Sequence, residues 1–361
     1  MTQSQLPWDI PSSWSPALEA ARAGASLFLL GAVDSGKSTL AAVLASAAAE
    51  AGRVAAVVDA DLGQSSLGPP TCVGMARVPR PVASLDELQA EAIDFVGCSS
   101  PVGHLLAAAS GVHALARSAR DLGAETLIVD TTGLIAAGVG RALKSAKIRL
   151  LDPDFLVALQ ADDEVEHLLS PFAHRHRPRL LRLRPSRRVK PRTRDQRAAR
   201  RQHKFAAYFA SGRPVEVPWD AVPIENSAWT SGEPAPGHLR AYAEERLACE
   251  VLHAEVRADG LLVIISGRPD PAALRALGPS FGGSARAIQA ETLANLLVGL
   301  LGGRGETLAL AVLESVDFRS RRLRLFTPLD DIARATGLRL GSLRVARDGV
   351  ELGWIEPGEL A

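Results

Sequence analysis

Residues Gly31–Thr39 fit the G-x-x-x-x-G-K-[ST] pattern of a phosphate-binding P-loop. The apolar run Ser26–Leu30 before this loop predicts a buried strand, and the run Thr39–Glu50 after it predicts a helix. A strand, glycine loop and helix in this order direct backbone N–H groups at a polyphosphate; a purely structural glycine turn is the alternative. Lys37 would reach the β- and γ-phosphates, and Ser38 would hold Mg²⁺. The nucleotide-binding candidates are Gly31, Asp34, Ser35, Gly36, Lys37, Ser38 and Thr39.

Two carboxylates follow the next apolar run. Arg53–Val58 leads into Asp59-Ala-Asp61-Leu-Gly-Gln64, and the alternation of a strand places Asp59 and Asp61 on the same side. Two carboxylates that face a P-loop suit Mg²⁺ binding or deprotonation of an attacking hydroxyl. The structural alternative for either aspartate is a helix N-cap or an Asx turn. A hydrolytic ATPase would use such an aspartate on metal or water, and a kinase would use it on the acceptor hydroxyl.

Small polar residues mark two further segments. The run Leu127–Asp130 is followed by Thr131-Thr-Gly133, where hydroxyl groups and a glycine could contact phosphate or position the P-loop. The segment Phe95–His104 reads as a loop that leads into a helix from about Leu105. Within it, Ser100 is either the helix N-cap, with proline at the first helical position, or a substrate contact together with His104.

The chain carries an uneven distribution of charge. Its formal net charge is +1, yet residues 174–204 contain 14 of the 41 Lys and Arg residues and one of the 40 acidic residues. Such asymmetry favours a local polyanion site over a solvated basic helix. On a helix, Arg197, Arg201 and Phe205 share one face at i, i+4 spacing. Arginines that close over a nucleotide stabilise the charge that develops during phosphoryl transfer.

Composition narrows the class of protein. A hydrophobic content of 47% and a charged content of 22% are ordinary for a globular protein. No apolar run reaches membrane-spanning length, and residues 1–14 lack the pattern of a signal peptide. The three cysteines, Cys72, Cys98 and Cys249, are scattered. We therefore expect a cytoplasmic protein that has no membrane association, disulfide framework or structural zinc.

Alternating apolar runs and helical stretches predict an α/β fold, with a parallel P-loop NTPase sheet and flanking helices. The predicted strands of this sheet are Leu27–Leu30, Arg53–Val58, Glu125–Val129 and Asp154–Leu159. The expected organisation is an irregular lead-in at 1–24, a P-loop domain at 25–212, a linker at 213–239 and a smaller β-rich domain at 240–361. In the last domain we expect four strands and a helix, at Leu261–Ser266, Leu308–Leu313, Arg321–Phe326, Leu338–Ala346 and Glu291–Leu301 respectively.

In this order, the motifs resemble those of the polynucleotide 5′-hydroxyl kinase family. That family includes the kinase subunit of the messenger-RNA 3′-end cleavage factor and the ribosomal-RNA-processing 5′-kinases. The matching stretches are the P-loop, Asp59–Gln64 as the D-x-D-x-G-Q form of the Walker B motif, and Thr131–Gly133 as the start of the T-x-G-W clasp. Phe95–His104 is similar to the family's V-G-x-x-S-P loop, and Arg192–Phe209 is similar to its arginine lid, at about 174–209.

The resemblance implies roles for individual residues. Lys37 would neutralise the β- and γ-phosphates of ATP, and Thr131 would belong to the clasp that orients this lysine. Ser38 and Asp61 would hold Mg²⁺, with Asp59 in support, and Asp61 would also be the general base. Arg197 and Arg201 would be lid arginines. The expected substrate contacts are Gln64, Ser100, His104 and Arg192.

Two departures from the family pattern accompany this resemblance. Leu134 replaces the clasp tryptophan, and only residues 1–24 precede the P-loop domain, so we expect a prokaryotic member without the N-terminal β domain of eukaryotic members. The implied function is ATP-dependent phosphorylation of the 5′-hydroxyl ends of RNA, DNA or both. Two alternatives stay open: an ATP-binding assembly subunit without catalysis, and a P-loop switch ATPase. The second alternative does not account for the arginine lid.

Overall fold

The computed structural model describes residues 9–356 and 359–360. The chain forms two compact units, Met1–Arg201 and Gln202–Ala361, which we call unit 1 and unit 2. The boundary falls inside a helix, Arg194–Phe209, and close to the end of the expected P-loop domain at residue 212. The first eight residues of the expected lead-in lie outside the described residues.

Unit 1 alternates strands and helices. Its strands are β1 (Ser26–Leu30), β2 (Ala55–Ala60), β3 (Cys72–Val78), β4 (Ala92–Phe95), β5 (Thr126–Thr131), β6 (Phe155–Leu159) and β7 (Arg179–Leu183). The four predicted strands are present as β1, β2, β5 and β6, together with three strands that were not predicted, β3, β4 and β7. Its helices are α1 (Ser15–Arg22), α2 (Lys37–Glu50), α3 (Leu105–Asp121), α4 (Ala137–Leu151), α5 (Glu166–Leu169) and the first half of α6 (Arg194–Phe209). Residues 15–22 are thus helical, whereas the sequence analysis expects an irregular lead-in.

The strands of unit 1 lie in the order β4-β3-β2-β5-β1-β6-β7. From β2 to β7 every neighbouring pair is parallel, and β3 and β4 are antiparallel to their neighbours. Alternate residues of β1 enter different cores: Leu27 and Leu29 pack with α1 and α2, and Phe28 and Leu30 pack with α3 and α4. Helices therefore cover both faces of the sheet, which confirms the predicted α/β fold.

Parallel packing brings the carboxyl ends of β2, β5 and β1 to one edge of the sheet. β5 lies between the other two strands, with Asp59 paired to Asp130 across the ladder. Ligands of open parallel sheets bind beyond this edge. The loops after these three strands are therefore the ones that can build a site.

Unit 2 is rich in β-strands. They are β8 (Arg213–Pro218), β9 (Ile224–Glu225), β10 (Glu233–Pro234), β11 (Val251–Arg257), β12 (Gly260–Ile265), β13 (Ser284–Gln289), β14 (Leu296–Leu301), β15 (Thr307–Asp317), β16 (Arg322–Thr327), β17 (Gly337–Val345) and β18 (Glu351–Trp354). Most of these strands pair with antiparallel neighbours, whereas β13 pairs in parallel with β12, and β9 pairs in parallel with β17. The helices are α7 (Gly237–Leu247), α8 (Pro271–Leu277) and α9 (Ala290–Leu293). One sheet has the order β18-β17-β14-β15-β16-β8, and the other has the order β10-β11-β12-β13.

Two parts of unit 2 differ from the sequence-based expectation. The predicted helix at Glu291–Leu301 is wrong, because only Ala290–Leu293 is helical and Leu296–Leu301 forms the fully buried strand β14. A continuous apolar run fits a buried strand as well as a buried helix. Residues 213–239, where the sequence analysis expects a linker, contain β8, β9 and β10, because Val217 and Trp219 bury their side chains in the core of unit 2.

In the described part of the chain, no helix combines the length and the hydrophobicity that a membrane span requires.

A glycine in β3 allows the loop after β2 to approach the sheet closely. A methyl group on Gly74 would overlap the carbonyl oxygen of Leu67, at the end of that loop. We expect Gly74→Ala to lower the free energy of unfolding by about 1–3 kcal/mol, because overpacking forces the backbone to move. Denaturant unfolding of the purified variant measures this change.

Gly138, in α4, provides the control. Its added methyl group would meet no atom within 4 Å, so Gly138→Ala should stabilise the helix by about 0.5–1 kcal/mol. Equal effects of the two substitutions would contradict the close approach at Gly74.

Candidate active site

The P-loop occupies the turn between β1 and α2, and its glycines are needed where they stand. A Cβ on Gly31 would lie 2.5 Å from the Ser35 hydroxyl oxygen and 2.7 Å from the Leu159 carbonyl oxygen. Gly36 has a φ of +93° and precedes the first residue of the helix. Side chains at these two positions would block the turn, so the glycines allow the tight backbone path that a phosphate-binding loop requires.

Lys37 begins α2 and is almost fully buried. Its Nζ donates hydrogen bonds to the Ala32 carbonyl oxygen at 2.7 Å and to the Ser35 hydroxyl at 3.4 Å. Burial lowers the pKa of Lys37, while the carboxylates of Asp130, Asp61 and Asp34 raise it. The lysine therefore lies on the inner wall of the loop among carboxylates, where an incoming polyphosphate would find a cation.

The two aspartates after β2 have different environments. Asp61 is partly exposed, and its Oδ1 accepts hydrogen bonds from the backbone N–H groups of Gly63 and Gln64. The Asp59 carboxylate is buried and accepts hydrogen bonds from the N–H groups of Asp61, Ser66 and Leu67. Asp59 thus organises the loop as an Asx-type residue does, and of the two carboxylates only Asp61 lines the cavity described below.

Asp130 is a site residue that the sequence analysis did not single out. It lies near the end of β5, is buried, and receives a side-chain hydrogen bond from Ser38 of the P-loop. Burial raises the pKa of Asp130, and Lys37 and Ser38 lower it. The sequence did place Asp130 at the end of a predicted strand. It did not specify that this strand lies next to the P-loop strand, and only that neighbourhood marks Asp130 as a site residue.

The basic segment reaches the P-loop through the loop's own carboxylate. Asp34 Oδ2 accepts a hydrogen bond from the backbone N–H of Arg192 at 3.0 Å and forms an ion pair with Arg197 Nη1 at 3.0 Å. The side-chain amide of Gln64 donates a hydrogen bond to the Arg197 carbonyl oxygen at 3.3 Å. Val189 approaches Gly36 from the same segment. These contacts hold the start of α6 beside the nucleotide-binding loop.

Of three further contact residues in the basic segment, Thr193 belongs to the predicted motif, whereas Gln196 and Arg200 were not predicted. Arg200 Nη2 lies 2.9 Å from both carboxylate oxygens of Asp86. The lid helix begins in a capping arrangement, in which the Gln196 side chain accepts a hydrogen bond from the Thr193 N–H and the Thr193 hydroxyl accepts one from the Gln196 N–H. The T-x-x-Q spacing was a usable signal for this helix start. The ion pair between Arg200 and Asp86 could not be predicted, because the two residues are distant in sequence.

A single cavity of about 870 Å³ joins these elements. Its volume lies in the range of small-molecule sites. The predicted site residues that line it are Asp34, Ser35, Gly36, Lys37, Ser38, Thr39, Asp61, Gln64, Ser100, Arg192, Arg197 and Arg201. The predicted residues that do not line it are Gly31, Asp59, His104 and Thr131. Thr132 and Gly133 of the segment Thr131–Gly133 also line it, and lining residues that were not individually predicted include Asp86, Lys190, Gln196 and Arg200.

The loop before α3 excludes one of the two roles predicted for Ser100, that of helix N-cap. The helix starts at Leu105 with His104 in the N-cap position, so Ser100 is not the cap. The Ser100 hydroxyl accepts a hydrogen bond from the Val102 N–H at 3.3 Å, and Ser100 lines the cavity. Burial lowers the pKa of His104, which does not line the cavity.

The residues fit a nucleotide with its metal. The P-loop supplies donors and a lysine, and Ser38 and Asp61 offer oxygen ligands at the cavity wall. Among the described residues, no three His, Cys, Asp or Glu side chains form a metal-binding group. Mg²⁺ in phosphoryl-transfer sites needs only one or two protein carboxylates, because substrate phosphates and waters complete its octahedron.

The fold and this cavity define a P-loop nucleotide-binding protein in which arginines of the basic segment line the cavity. The family model for the P-loop of the mRNA cleavage and polyadenylation factor CLP1 matches residues 31–211. A polyribonucleotide 5′-hydroxyl-kinase of Pyrococcus horikoshii is 30% identical over 334 residues, which cover 92% of this chain and 89% of the relative. One of Methanocaldococcus jannaschii is 30% identical over 91% of this chain and 90% of the relative. The chain belongs to the CLP1 P-loop family.

Solved structures agree on the fold. The structure of a wild-type Clp1p–Pcf11p complex matches 92% of this chain and 78% of its own chain, with a TM-score of 0.60 and 14% sequence identity. At this identity the match establishes a shared architecture.

The different environments of Asp59 and Asp61 predict different effects on stability. Asp59→Ala leaves three loop N–H groups without their acceptor, so we expect a loss of about 3 kcal/mol in the free energy of unfolding. Asp61→Ala exposes two N–H groups that water can reach, and should cost about 1 kcal/mol. Denaturant unfolding of both variants measures the difference, and equal losses would show that Asp59 does not hold the loop.

Proposed function

We propose that this protein is an ATP-dependent polynucleotide 5′-hydroxyl kinase, which transfers the γ-phosphate of ATP to the 5′-hydroxyl end of RNA, DNA or both. One observation carries the proposal: Lys37, Ser38, Asp61, Arg197 and Arg201 line the same cavity. The similarity to polyribonucleotide 5′-hydroxyl-kinases over more than nine tenths of the chain supports it. ATP is the expected phosphate donor of a P-loop kinase.

The proposed reaction is an in-line displacement at the γ-phosphorus. The 5′-hydroxyl oxygen of the polynucleotide forms a bond to this phosphorus while the bond to the β–γ bridging oxygen breaks, and ADP leaves. Asp61 accepts the proton of the attacking hydroxyl, since it is the cavity-lining carboxylate on the loop after β2. Lys37 and the lid arginines stabilise the negative charge on the transferred group and on ADP.

Mg²⁺ belongs to this proposal and would neutralise charge on the β- and γ-phosphates. Ser38 and Asp61 would hold it. Asp130 would orient Ser38 through the hydrogen bond between them. Asp59 would support the metal site indirectly, because its carboxylate holds the loop that carries Asp61.

The basic segment is the proposed contact for the polynucleotide. Arg188, Lys190 and Arg192 line the cavity beside the P-loop, and Gln64 and Ser100 line the wall near Asp61. Contacts of Lys and Arg with phosphates release counterions, so we infer an affinity that falls as salt rises. The proposal includes a cytoplasmic setting, since all three cysteines are free thiols.

Transfer of labelled phosphate tests the proposed function. With γ-labelled ATP and Mg²⁺, we expect label on 5′-hydroxyl RNA or DNA oligonucleotides and none on matched 5′-phosphorylated oligonucleotides. Lys37→Ala and Asp61→Ala should abolish transfer, because they remove the phosphate-binding cation and the proton acceptor. Comparing RNA with DNA of the same sequence in this assay ranks the acceptors.

The assay also separates the alternative functions. ATP binding without label on any end would favour an assembly subunit and count against the kinase. ATP hydrolysis that is independent of an acceptor would favour a switch ATPase. Full transfer by Asp61→Ala would remove this residue from the role of base.

Two arginines of α6 offer a matched comparison. Arg201 lines the cavity, whereas Arg194, on the same helix, is exposed and does not. Arg201→Ala should lower kcat by about a thousandfold, as expected when an arginine leaves the transition state of phosphoryl transfer. Arg194→Ala should leave kcat at saturating polynucleotide within about twofold, since exposed charges contribute little. Single-turnover rates measure both, and an unchanged rate in Arg201→Ala would exclude its participation.

A further inference from the structure

Two buried lysines lie beneath the carboxyl edge of the sheet. Lys144 and Lys147 of α4 have side chains that are 0% and 1% exposed, respectively. They are three residues apart and therefore share one face of the helix. An ammonium group rarely enters a protein interior without partners, because its desolvation is costly. The contacts of each lysine therefore indicate what keeps it there.

Lys144 holds the segment that follows β5. Its Nζ donates hydrogen bonds to the Thr131 hydroxyl at 2.7 Å and to the Thr132 carbonyl oxygen at 2.6 Å. The Thr131 hydroxyl donates in turn to the Leu29 carbonyl oxygen at 2.7 Å. Leu29 lies in β1, immediately before the P-loop. One amine thus links the ends of two neighbouring parallel strands.

Residues 131–133, which Lys144 holds, pack closely against the P-loop. A Cβ on Gly133 would lie 2.5 Å from both the backbone nitrogen and the Cα of Val33. Thr132, Gly133 and Val33 all line the cavity. A displacement of residues 131–133 would therefore reach the P-loop backbone directly, because this packing leaves no space between them.

The hydrogen bonds of Lys144 do not depend on its charge. Burial lowers the pKa of Lys144, as do Lys147 and Lys37, while Asp61 and Asp130 raise it. A neutral amine keeps two N–H donors, which suffice for the two acceptors at Thr131 and Thr132. The anchor is therefore present in either protonation state.

We propose that Lys144 is a positioning residue for the nucleotide, which holds residues 131–133 against the P-loop so that the loop keeps its phosphate-binding shape. The inference rests on the proposed function in that the nucleotide is the phosphate donor. Lys144 does not line the cavity, so it acts through Thr131, Thr132 and Val33.

Lys147 is the matched control for this proposal. It is buried on the same helix face, yet its Nζ has no hydrogen-bond partner among the described residues. Lys147→Met removes a buried amine that makes no hydrogen bond to the P-loop or to residues 131–133. Lys144→Met removes an equally buried amine together with both anchoring bonds. The difference between the two variants reports the anchor rather than the loss of a buried amine.

The test measures binding of a non-hydrolysable ATP analogue with Mg²⁺ by calorimetry, at a temperature where each variant is folded by circular dichroism. Lys144→Met should weaken binding by about tenfold or more, as expected when a residue that orients a binding group is lost. Lys147→Met should weaken it by less than about threefold. In kinetic assays, Lys144→Met should raise the KM for ATP and leave the KM for the polynucleotide unchanged.

A double-mutant cycle keeps the test decisive. Thr131→Val removes the acceptor of Lys144 without changing side-chain shape, and combining it with Lys144→Met should weaken binding less than the sum of the single effects. Three outcomes would each overturn the proposal. They are wild-type nucleotide affinity in Lys144→Met, equal losses of affinity in the two lysine variants, and additive effects on affinity in the cycle. If Lys144→Met does not fold, unchanged affinity in Thr131→Val overturns it. Absence of phosphate transfer by the wild type would refute the proposed function and leave this binding test intact.

Discussion

A cluster of buried amines and carboxylates at one edge of the sheet is the constraint on which this site depends. Lys37 and Lys144 lie buried there with Asp59 and Asp130. Burial raises the pKa of Asp59 to about 7 and lowers the pKa of Lys37 and of Lys144. An isolated buried charge is strongly destabilising, so each group needs the others and their hydrogen bonds. The loops after β1, β2 and β5 are held by the same set of contacts.

The lid meets this edge through a residue of the P-loop itself. Asp34 accepts the Arg192 N–H and pairs with Arg197, and both arginines line the cavity. A carboxylate and a phosphate offer the same kind of acceptor to a guanidinium group. The start of the basic segment is therefore already oriented toward the place where an anion would bind. The start of the positively charged segment 174–204 thus lies beside the P-loop.

Much of the fold follows from short-range patterns. The P-loop with its flanking strand and helix, the parallel strands β1, β2, β5 and β6, and the helix of the basic segment could be predicted, because each depends on local periodicity and glycine placement. The parallel strand β7 was not predicted. Leu296–Leu301 could not, since a fully apolar run fits a strand or a helix until its neighbours are known. The strands within 213–239 were hidden by proline- and glycine-rich composition, and only burial of Val217 and Trp219 reveals them.

The sequence by itself determined which chemistry is present: a phosphate loop, paired aspartates, and arginines at helical spacing. Tertiary structure decided which of these groups line the cavity and which hold the surrounding loops in place. It turned Asp59 toward three backbone amides and left Asp61 at the cavity. It also placed Asp130 against Ser38 and Lys144 beneath Thr131. The physical reason is that these partners are distant in sequence, and only the pairing of parallel strands and the packing of α4 bring them together.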